Sequence, residues 1–556
     1  MLRTVREDLT ARFRQAIRAF AAERGVPVDL TTIEWHRPTD AQWGDLTSPF
    51  ALGAARDFRA SPREIARELV TRIALDPQVD GTAEVAGPGH INLRLAPSRW
   101  YEVVRAILAE GEAYGRWDIG RGRRIQVEFV SANPTGPLTV ANGRGAALGD
   151  ALANLLASVG YAVEREYYVN DAGTQVAVLG RSLLARYREA VGVPAEFPQD
   201  GYRGEYVRDL AKALIEVEGR ALLERNEGEA AQACTRFAVE RLLGEIRRDL
   251  EAFGVRFDCW FSEKGLYERG EVEAALRELE ARGHLYREGG ALWFRSTALG
   301  DDKDRVLIRS TGEPTYYAAD VAYHADKFRR GFDRVVDIWG HDHHGYVGRM
   351  KAAAQALGRD PDDLQILLMQ FVNLLRAGKP VAMGKREGEF VTLADLVGEV
   401  GKDVARFMFL TRRSDALIDF DLEVAKSQSL ENPVYYVQYA HARLCSVQRE
   451  ASKAGLPPPS ADAPLVRLEL PEELAMIRQL GEFPELVLGA AQSYEPHRVT
   501  VSLQDLAGAL HSYYNKHRIL SEDRTLSEAR LALMAAMLTV LRNGLRLLGV
   551  EAPERM

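Results

Sequence analysis

Residues 124–145 read RIQVEFVSANPTGPLTVANGRG and decide the fold class of this 556-residue chain. Residues 125–130 form an apolar run typical of a strand, and residues 131–137 are rich in turn formers. Residues 145–160 then place leucines on one helical face, and residues 161–169 return as a strand. A strand, a helix and a second strand in this order indicate a parallel sheet with crossover helices. Ligands of such sheets bind beyond the carboxyl ends of the strands, where the 131–137 loop lies.

The rest of the chain predicts further domains around this unit. Residues 334–339 and 364–369 are strong strand candidates, and a charged, mostly helical segment over about 176–282 interrupts the sheet pattern as an insertion. From about residue 430 onward only helical periodicity is found. We predict an N-terminal α/β domain over residues 1–97, a linking helix over 98–118, a parallel-sheet α/β domain over 119–428 and an all-α domain over 429–556.

Composition excludes several classes of protein. Hydrophobic residues make up 46% and charged residues 27%, so the chain is neither disordered nor fibrous, and its length excludes a single small binding module. The three cysteines are far apart, which argues against a disulfide framework and favours a cytoplasmic location. No apolar run is long enough to cross a membrane. The net charge of −8 offers no bulk-basicity argument for a nucleic-acid partner.

Two loops could hold phosphates. Residues 133–145 join a strand to a helix and offer glycines, hydroxyls and an arginine, so a phosphate could approach the helix N-terminus; a tight β–α turn would need the same glycines. Residues 383–390, MGKREGEF, carry two adjacent cations between glycines. They could close over a polyphosphate, or they could form a solvated basic turn.

Two further groups of residues could form part of a site. The three histidines and one aspartate in residues 339–345, WGHDHHG, are too close in sequence to favour a metal centre, and contact with a nucleotide or an amino acid suits them better. Glu128 and Asn133, with Tyr316 and Asp320, are expected at strand ends and in loops. Buried carboxylates there would suit a guanidinium, but pairing with the chain's own arginines would equally explain them.

Taken together, these features resemble the arginyl-tRNA synthetases, a family of class I aminoacyl-tRNA synthetases. The resemblance runs over nearly the whole chain. The segments that carry it are 127–138 (VEFVSANPTGPL), 143–147 (GRGAA), 167–173 (YYVNDAG), 317–324 (YAADVAYH), 342–346 (DHHGY), 370–374 (QFVNL) and 431–443 (ENPVYYVQYAHAR).

This resemblance implies the fold and the activity. A Rossmann-like catalytic domain would activate L-arginine with ATP and Mg²⁺, and would transfer it to tRNA(Arg) with release of AMP and pyrophosphate. The N-terminal domain would contact the elbow of the tRNA, and the all-α domain would bind its anticodon. We expect a cytoplasmic monomer without membrane association or a structural metal ion.

The resemblance also assigns roles to individual residues. It implies that arginine is bound by Glu128, Asn133, Tyr316, Asp320 and His344. It implies that ATP is bound by Pro137, Gly143, Arg144, His343, Met383 and Lys385. The catalytic positions would be Thr139 and Asn142, at the place of the family's HIGH signature, and Lys385 and Arg386, at the place of its KMSK signature.

Two departures from the family pattern bear on activity. Neither histidine of the HIGH signature is present, since residues 139–142 read TVAN, and Ala382 replaces the first lysine of KMSK. Thr139 and Asn142 can still donate hydrogen bonds to a phosphate, although losing an imidazole donor could cost about 10²-fold. Compensation by Arg144, Lys385 and Arg386 is a hypothesis.

The all-α domain carries the candidate tRNA surface. Residues 512–518, SYYNKHR, combine rings and donors that suit unpaired bases, and Tyr513, Asn515, Lys516 and Arg518 are the candidate contacts. An amphipathic helix with two core tyrosines would explain part of the same pattern. Two other functions remain open at this stage: a catalytically weakened relative that binds tRNA or arginine, and a nucleotidyl-transferring enzyme without tRNA.

Overall fold

The N-terminal domain is a three-stranded antiparallel sheet covered by helices in the computed structural model, which describes residues 2–30, 33–38, 40–381 and 391–556. Its strand order is β1-β3-β2, and Phe13, Ile17 and Phe20 of its first helix are buried. The elements are α1 (Leu2–Arg24), β1 (Leu46–Ser48), α2 (Phe50–Phe58), α3 (Pro62–Arg72), β2 (Gly81–Ala86), β3 (His90–Leu95) and the linking helix α4 (Pro97–Glu110).

The α/β domain after α4 contains the predicted parallel sheet. Its strands are β4 (Arg124–Glu128), β5 (Ala162–Val169), β6 (Cys259–Ser262), β7 (Leu285–Glu288), β8 (Ala291–Phe294), β9 (Arg305–Ile308), β10 (Arg334–Gly340), β11 (Leu364–Met369), β12 (Val372–Arg376), β13 (Lys379–Pro380) and β14 (Ile418–Asp421). Its helices are α5 (Val140–Ser158), α6 (Thr174–Ala190), α7 (Glu205–Glu218), α8 (Glu227–Ala252), α9 (Glu263–Glu268), α10 (Glu271–Ala281), α11 (Tyr316–Arg329), α12 (Val347–Ala356), α13 (Leu393–Val400), α14 (Lys402–Phe409) and α15 (Leu422–Lys426).

Five of these strands form one parallel sheet in the order β11-β10-β4-β5-β6. The central strand β4 aligns Glu128 with Asp337 of β10 and with Glu166 of β5. Because partners in register share a face of the sheet, the three carboxylates lie in one row. Helix α11 covers this row with Tyr323, Lys327 and neighbouring residues, which makes the row a buried cluster of charge.

The loop after β4 begins earlier than the sequence pattern predicts. The predicted strand over 125–130 ends at Glu128, because Val130 and Ser131 adopt left-handed backbone conformations with φ of 67° and 37°. For a β-branched residue such as Val130 this conformation is strained. Helix α5 also starts five residues earlier than the predicted 145, at Val140.

The segment 176–282 is helical, as expected, but it is not helical throughout. Helices α6, α7 and α8 enclose a core of their own that includes Leu183, Tyr187 and Leu242. Strand β6 interrupts the segment and joins the edge of the parallel sheet. A strand of four residues leaves too little alternation to be recognised from sequence, which is why the prediction missed it.

The C-terminal domain is a bundle of four helices, α16 (Pro433–Lys453), α17 (Pro471–Gln492), α18 (His497–Lys516) and α19 (Arg524–Leu547). The linking helix α4 and the turn after it dock on this bundle. The hydroxyls of Tyr101 and Tyr114 donate to the carbonyls of Leu468 and Leu480, each at 2.9 Å. Among the described residues, no helix is long and apolar enough to span a bilayer.

Candidate active site

Two cavities open at the carboxyl ends of the central strands. The smaller one, about 250 Å³, is named here the acidic pocket, and its walls include Glu128, Tyr168, Asp320, Asp337, Trp339, His343, Tyr346 and Met350. The larger one, about 1150 Å³, is named the open cavity, and its walls include Asn133, Thr135, Asn142, Gln175, Asp200, Arg203, Tyr206, Asp342 and His343. His343 belongs to both, so the two spaces adjoin, as an amino acid and a nucleotide must before they react.

The acidic pocket brings together Glu128 and Asp320, two of the predicted arginine contacts. Asp320 accepts a hydrogen bond from the hydroxyl of Tyr346. Burial raises the pKa of Asp320, and the Tyr346 hydrogen bond opposes that rise. Burial likewise raises the pKa of Glu128, against the lowering effect of Lys327 beside it. A cation bound in the pocket would therefore stabilise the ionised form of each carboxylate.

The strained turn after β4 holds Glu128 in place. The hydroxyl of Ser131 donates to Oε1 of Glu128 at 2.9 Å and accepts a hydrogen bond from the backbone N–H of Tyr168 at 3.1 Å. This double contact needs the left-handed conformation of Ser131, which turns the chain back toward Glu128. The strain at Val130 and Ser131 thus shapes the wall of the pocket.

The HIGH-position residues form the N-terminus of helix α5. Thr139 is the N-cap, and both its backbone N–H and its hydroxyl donate to Oδ1 of Asn142 at 2.9 Å. Asn142 lines the open cavity. A helix N-terminus with an amide beside it favours a negatively charged ligand. Asn142 therefore faces the open cavity, whereas Thr139 is not among the residues that line it and both of its donors are engaged by Asn142.

The insertion helices complete the far wall of the open cavity. The hydroxyl of Tyr206, in the first turn of α7, donates to the carbonyl of Thr135 at 2.6 Å. Asn133 lines the same cavity and donates to Oε1 of Gln175 in α6 at 2.7 Å. Asn133 therefore lies in the cavity next to the acidic pocket and not among the residues that line the pocket itself.

Several predicted ligand contacts lie outside both cavity walls. Tyr316 is 61% exposed at the start of α11, and His344 is exposed and stacks on His341 with ring centroids 5.7 Å apart. Pro137 is half-buried, and Gly143 is buried where an added Cβ would lie 2.6 Å from a methyl group of Leu393. Gly143 thus serves the packing of α5. The predicted Met383, Lys385 and Arg386 lie outside the described residues.

The structure gives Arg144 a role that conflicts with the predicted ATP contact. Its side chain is buried, and its guanidinium donates to the carbonyls of Gln370, Phe371, Arg413 and Ala416 at 2.7–3.3 Å. Since the terminal N–H groups are occupied by backbone carbonyls, Arg144 joins α5 to two loops and cannot replace a missing phosphate donor. Burial also lowers the pKa of Arg144 to about 10.

Tyr513, a predicted tRNA contact, does not lie on the protein surface. Tyr513 is buried, and its hydroxyl donates to Glu473 at 2.7 Å. The next residue, Tyr514, is 36% exposed, with the guanidinium of Arg443 4.3 Å from its ring centroid. The other predicted contacts, Asn515, Lys516 and Arg518, are exposed. The helical pattern could not show which tyrosine of the pair faces the core.

Two functional candidates were missed from sequence. Lys327 is buried and its ammonium lies 2.6 Å from Glu128 and 2.8 Å from Asp337. Its spacing of seven residues from Asp320 puts both on one face of α11, which was a usable signal. Glu263 follows β6, and burial raises its pKa to about 7, with Asp320 and Asp171 adding to the rise and a hydrogen bond from Tyr168 opposing it.

One group of residues has the atoms but not the charge balance of a metal site. Glu164, Glu166 and Cys259 offer ligand atoms within 4.8 Å of one another. Arg330 already donates to both oxygens of Glu166, at 2.5 and 2.9 Å, and Tyr323 donates to it as well. The negative charge of Glu166 is therefore already compensated by the protein itself.

Three known domain families match successive parts of the chain. The N-terminal domain profile of arginyl tRNA synthetases matches residues 7–95. The catalytic domain profile of class I tRNA synthetases (R) matches residues 103–430, which is more than half of the chain. The chain belongs to the arginyl-tRNA synthetase family. The DALR anticodon binding domain profile matches residues 437–556.

Individual arginyl-tRNA synthetases agree with this assignment. The arginine–tRNA ligase of Syntrophotalea carbinolica is 53% identical over 93% of this chain and 94% of its own. That of Desulfosudis oleivorans is 48% identical over 99% of this chain and 100% of its own. The solved arginyl-tRNA synthetase of Thermus thermophilus matches with a TM-score of 0.74 and 26% identity over 99% of this chain and 100% of its own. The resemblance and the fold class expected from the sequence are confirmed.

Proposed function

We propose that this protein ligates L-arginine to tRNA(Arg) in an ATP-dependent reaction. Arginine binds in the acidic pocket with its guanidinium toward Asp320 and Glu128, and ATP binds in the open cavity. The arginine carboxylate attacks the α-phosphate, its oxygen forms the new bond to phosphorus, and the bond to pyrophosphate breaks. A hydroxyl of the terminal ribose of the tRNA then attacks the carbonyl carbon of arginyl-adenylate, and AMP leaves.

The adjacency of the two cavities is the observation that carries this proposal. A space of about 250 Å³ with two carboxylates in its wall suits a guanidinium, whose planar donors pair with carboxylates better than a point charge does. The space beside it lies at the N-terminus of α5, where Asn142 lines its wall. Positioning and electrostatics of this kind are what phosphoryl chemistry requires of a protein.

Mg²⁺ would arrive with ATP as part of the substrate. The carboxylates Asp200 and Asp342 line the open cavity and are the hard oxygen ligands that this ion prefers, so the residues present fit it. Bound there, the ion would neutralise charge on the phosphates.

The tRNA is proposed to bind across the C-terminal helices and the N-terminal domain. On the bundle, the guanidinium of the half-buried Arg443 lies over the exposed ring of Tyr514, and Tyr439 stacks on His511 with ring centroids 5.7 Å apart. Rings and guanidinium planes of this kind can stack on unpaired bases. Arg443→Ala should raise KM for tRNA about tenfold. Tyr513→Phe, which changes a buried hydroxyl on the same helix, should leave KM for tRNA unchanged and lower stability by about 1 kcal/mol.

The decisive assay measures pyrophosphate exchange and charging with arginine, each with and without tRNA(Arg). Arginine-dependent charging is expected, with lysine and citrulline as poor substrates. A catalytically weakened relative would bind tRNA or arginine without either reaction, and a nucleotidyl transferase would show exchange without charging. We further propose that the enzyme acts as a cytoplasmic monomer; Cys234, Cys259 and Cys445 are all free thiols, as a reducing compartment would leave them.

A further inference from the structure

A row of three carboxylates crosses the parallel sheet at the acidic pocket, and two of the three lie in the pocket wall. Asp337, Glu128 and Glu166 lie side by side on β10, β4 and β5, and all three are buried. Uncompensated, such a row would be strongly unfavourable, because desolvation penalises each charge and neighbouring charges of the same sign repel. The structure must therefore supply cations at the same depth.

Helix α11 supplies those cations. The ammonium of Lys327 donates to Oε2 of Glu128 at 2.6 Å and to Oδ1 of Asp337 at 2.8 Å, and it lies 4.3 Å from the ring centroid of Tyr323. Arg330 compensates Glu166 in the same way. The side chain of Lys327 is fully buried and is not part of the pocket wall, so it acts on a ligand only through the two wall residues that it contacts, Glu128 and Asp337.

The second carboxylate oxygen of Asp337 is held by His324. Nε2 of His324 lies 2.8 Å from Oδ2 of Asp337, and Nδ1 of His324 lies 2.8 Å from the carbonyl oxygen of Asp320. Asp337 therefore has a complete set of partners of its own, whereas Glu128 depends on Lys327 for its only ion pair among the described residues.

Resting on the proposed arginine-binding function, we propose that Lys327 is a positioning residue that makes the pocket select a guanidinium over a neutral side chain of the same shape, by holding the carboxylate of Glu128 at the pocket wall. With its ammonium in place, Glu128 stays an acceptor for a cation. Without that ammonium, burial and the neighbouring acids drive a proton onto Glu128. The protonated acid donates a hydrogen bond and no longer favours a positive ligand.

Other titratable and charged groups also face this part of the pocket, and their ionisation can affect ligand binding. They are Glu166 of β5, Asp337 of β10, Asp320, Tyr323, His324 and Lys327 of α11, and Glu263 beyond Tyr168. Glu263, whose pKa is raised to about 7, titrates in the same range as the effect sought. Each variant is therefore compared with the unmodified protein at each pH, so that Glu263 contributes equally to both.

The experiment is calorimetric titration of the full chain with L-arginine and with L-citrulline, its neutral ureido analogue, between pH 6.5 and 8.5. Lys327→Gln removes the charge and keeps an amide donor. Relative to the unmodified protein, it should weaken arginine binding by about ten- to hundredfold at pH 6.5, and the deficit should shrink by up to about tenfold per pH unit as Glu128 loses its proton. The preference for arginine over citrulline should fall by about tenfold. Lys327→Arg restores the charge, so its arginine affinity relative to the unmodified protein should no longer change with pH.

A matched control separates this effect from general destabilisation. Lys351→Gln, on α12, removes a partly buried ammonium that donates to the carbonyls of Pro361 and Leu364, away from the acidic pocket. It should leave the preference for arginine and its pH profile unchanged. If Lys327→Gln weakens both ligands equally at every pH, or changes neither, Lys327 has only a structural role and the proposal is overturned.

A measurement on the unmodified protein covers the case in which Lys327→Gln does not fold. At pH 8, calorimetry in two buffers of different ionisation enthalpy should show that arginine binding releases no more than about one-tenth of a proton, the fraction that Glu263 can supply with its pKa raised to about 7, because Glu128 is already ionised. Release of about one proton per bound arginine would overturn the proposal. Failure of the proposed function has a different signature: the unmodified protein would then bind no arginine under any of these conditions.

Discussion

The acidic pocket and the open cavity lie side by side but differ in the groups that line them: carboxylates dominate the first, and neutral polar groups dominate the second. The wall of the pocket contains Glu128, Asp320 and Asp337, and Lys327 compensates the charges of Glu128 and Asp337. The described wall of the open cavity offers mainly amides, hydroxyls and a helix N-terminus, among them Asn142 and Tyr206. The difference follows from the proposed ligands. A guanidinium carries a fixed charge that buried acids can select, whereas phosphate charge shifts during the reaction and is best met by preorganised dipoles.

This comparison implies that removing a charge should damage the pocket more than removing a dipole damages the open cavity. A dipole left unpaired costs a fraction of what an uncompensated charge costs. The expected losses should therefore rank from the acids of the pocket, through the helix N-terminus, to the hydroxyl that joins the insertion to the phosphate loop.

The largest effect is expected for Asp320→Asn. Arginine loses a charged partner while the residue keeps its shape, so kcat/KM for arginine should fall by about 10³-fold. Charging assays at several arginine concentrations measure this, and tRNA affinity should stay nearly constant. Asp326→Asn is the matched control, because it removes a half-buried carboxylate of the same helix outside the acidic pocket. A loss below tenfold for Asp320→Asn would mean that Glu128 alone selects the guanidinium.

The second effect concerns the open cavity. Asn142→Ala removes the amide donor and should lower kcat for adenylate formation by about 10²-fold, with KM for arginine unchanged. The substitution also removes the acceptor that caps α5, so a second variant is needed. Asn142→Asp keeps that acceptor and should fold as stably as the unmodified protein, yet it should lose at least as much activity because it places negative charge beside the phosphates. Normal activity in Asn142→Asp would remove Asn142 from the catalytic set.

How far the sequence predicts this site depends on whether the partners are local in the chain. Strands β10 and β11 follow from local patterns, and the structure has them where they were expected, whereas α5 begins at Val140, inside the segment that was expected to be a loop. Family resemblance brought Glu128 and Asp320 together although they lie far apart in sequence. Neither source showed that Arg144 would be occupied by backbone carbonyls, because such acceptors carry no sequence signal.

The residues missed from sequence were missed for a related reason. Lys327 matters because β10 and β4 place Asp337 and Glu128 side by side, and register between strands cannot be read from either strand alone. Tyr513 and Tyr514 differ only in which side of α18 faces the bundle, a choice made by tertiary packing. Local pattern therefore located the elements, and the compensation of buried charge within the site required the three-dimensional arrangement.

The third effect is a pH dependence of the acidic pocket. The pKa of Glu263 is raised to about 7, so this carboxyl becomes ionised as pH rises from 6 to 8. The ionised form adds negative charge near Asp320 and favours a cation, so KM for arginine should fall by up to about tenfold over that range. Glu263→Gln keeps a polar side chain at this position and should flatten the profile. A profile that stays steep in Glu263→Gln would assign the titration to another group.

The smallest effect tests the link between the insertion and the open cavity. Tyr206→Phe removes the hydroxyl that donates to the carbonyl of Thr135, a net loss of about 1 kcal/mol. Because this contact lies in the wall of the open cavity and not in the acidic pocket, KM for ATP should rise about fivefold while KM for arginine stays constant. Tyr187→Phe removes an equivalent hydrogen bond, to the carbonyl of Gly219, inside the insertion. It should cost similar stability without changing either KM. If both variants raise KM for ATP equally, the insertion acts on the nucleotide through its overall stability, and the Tyr206 contact has no separate role in shaping the cavity.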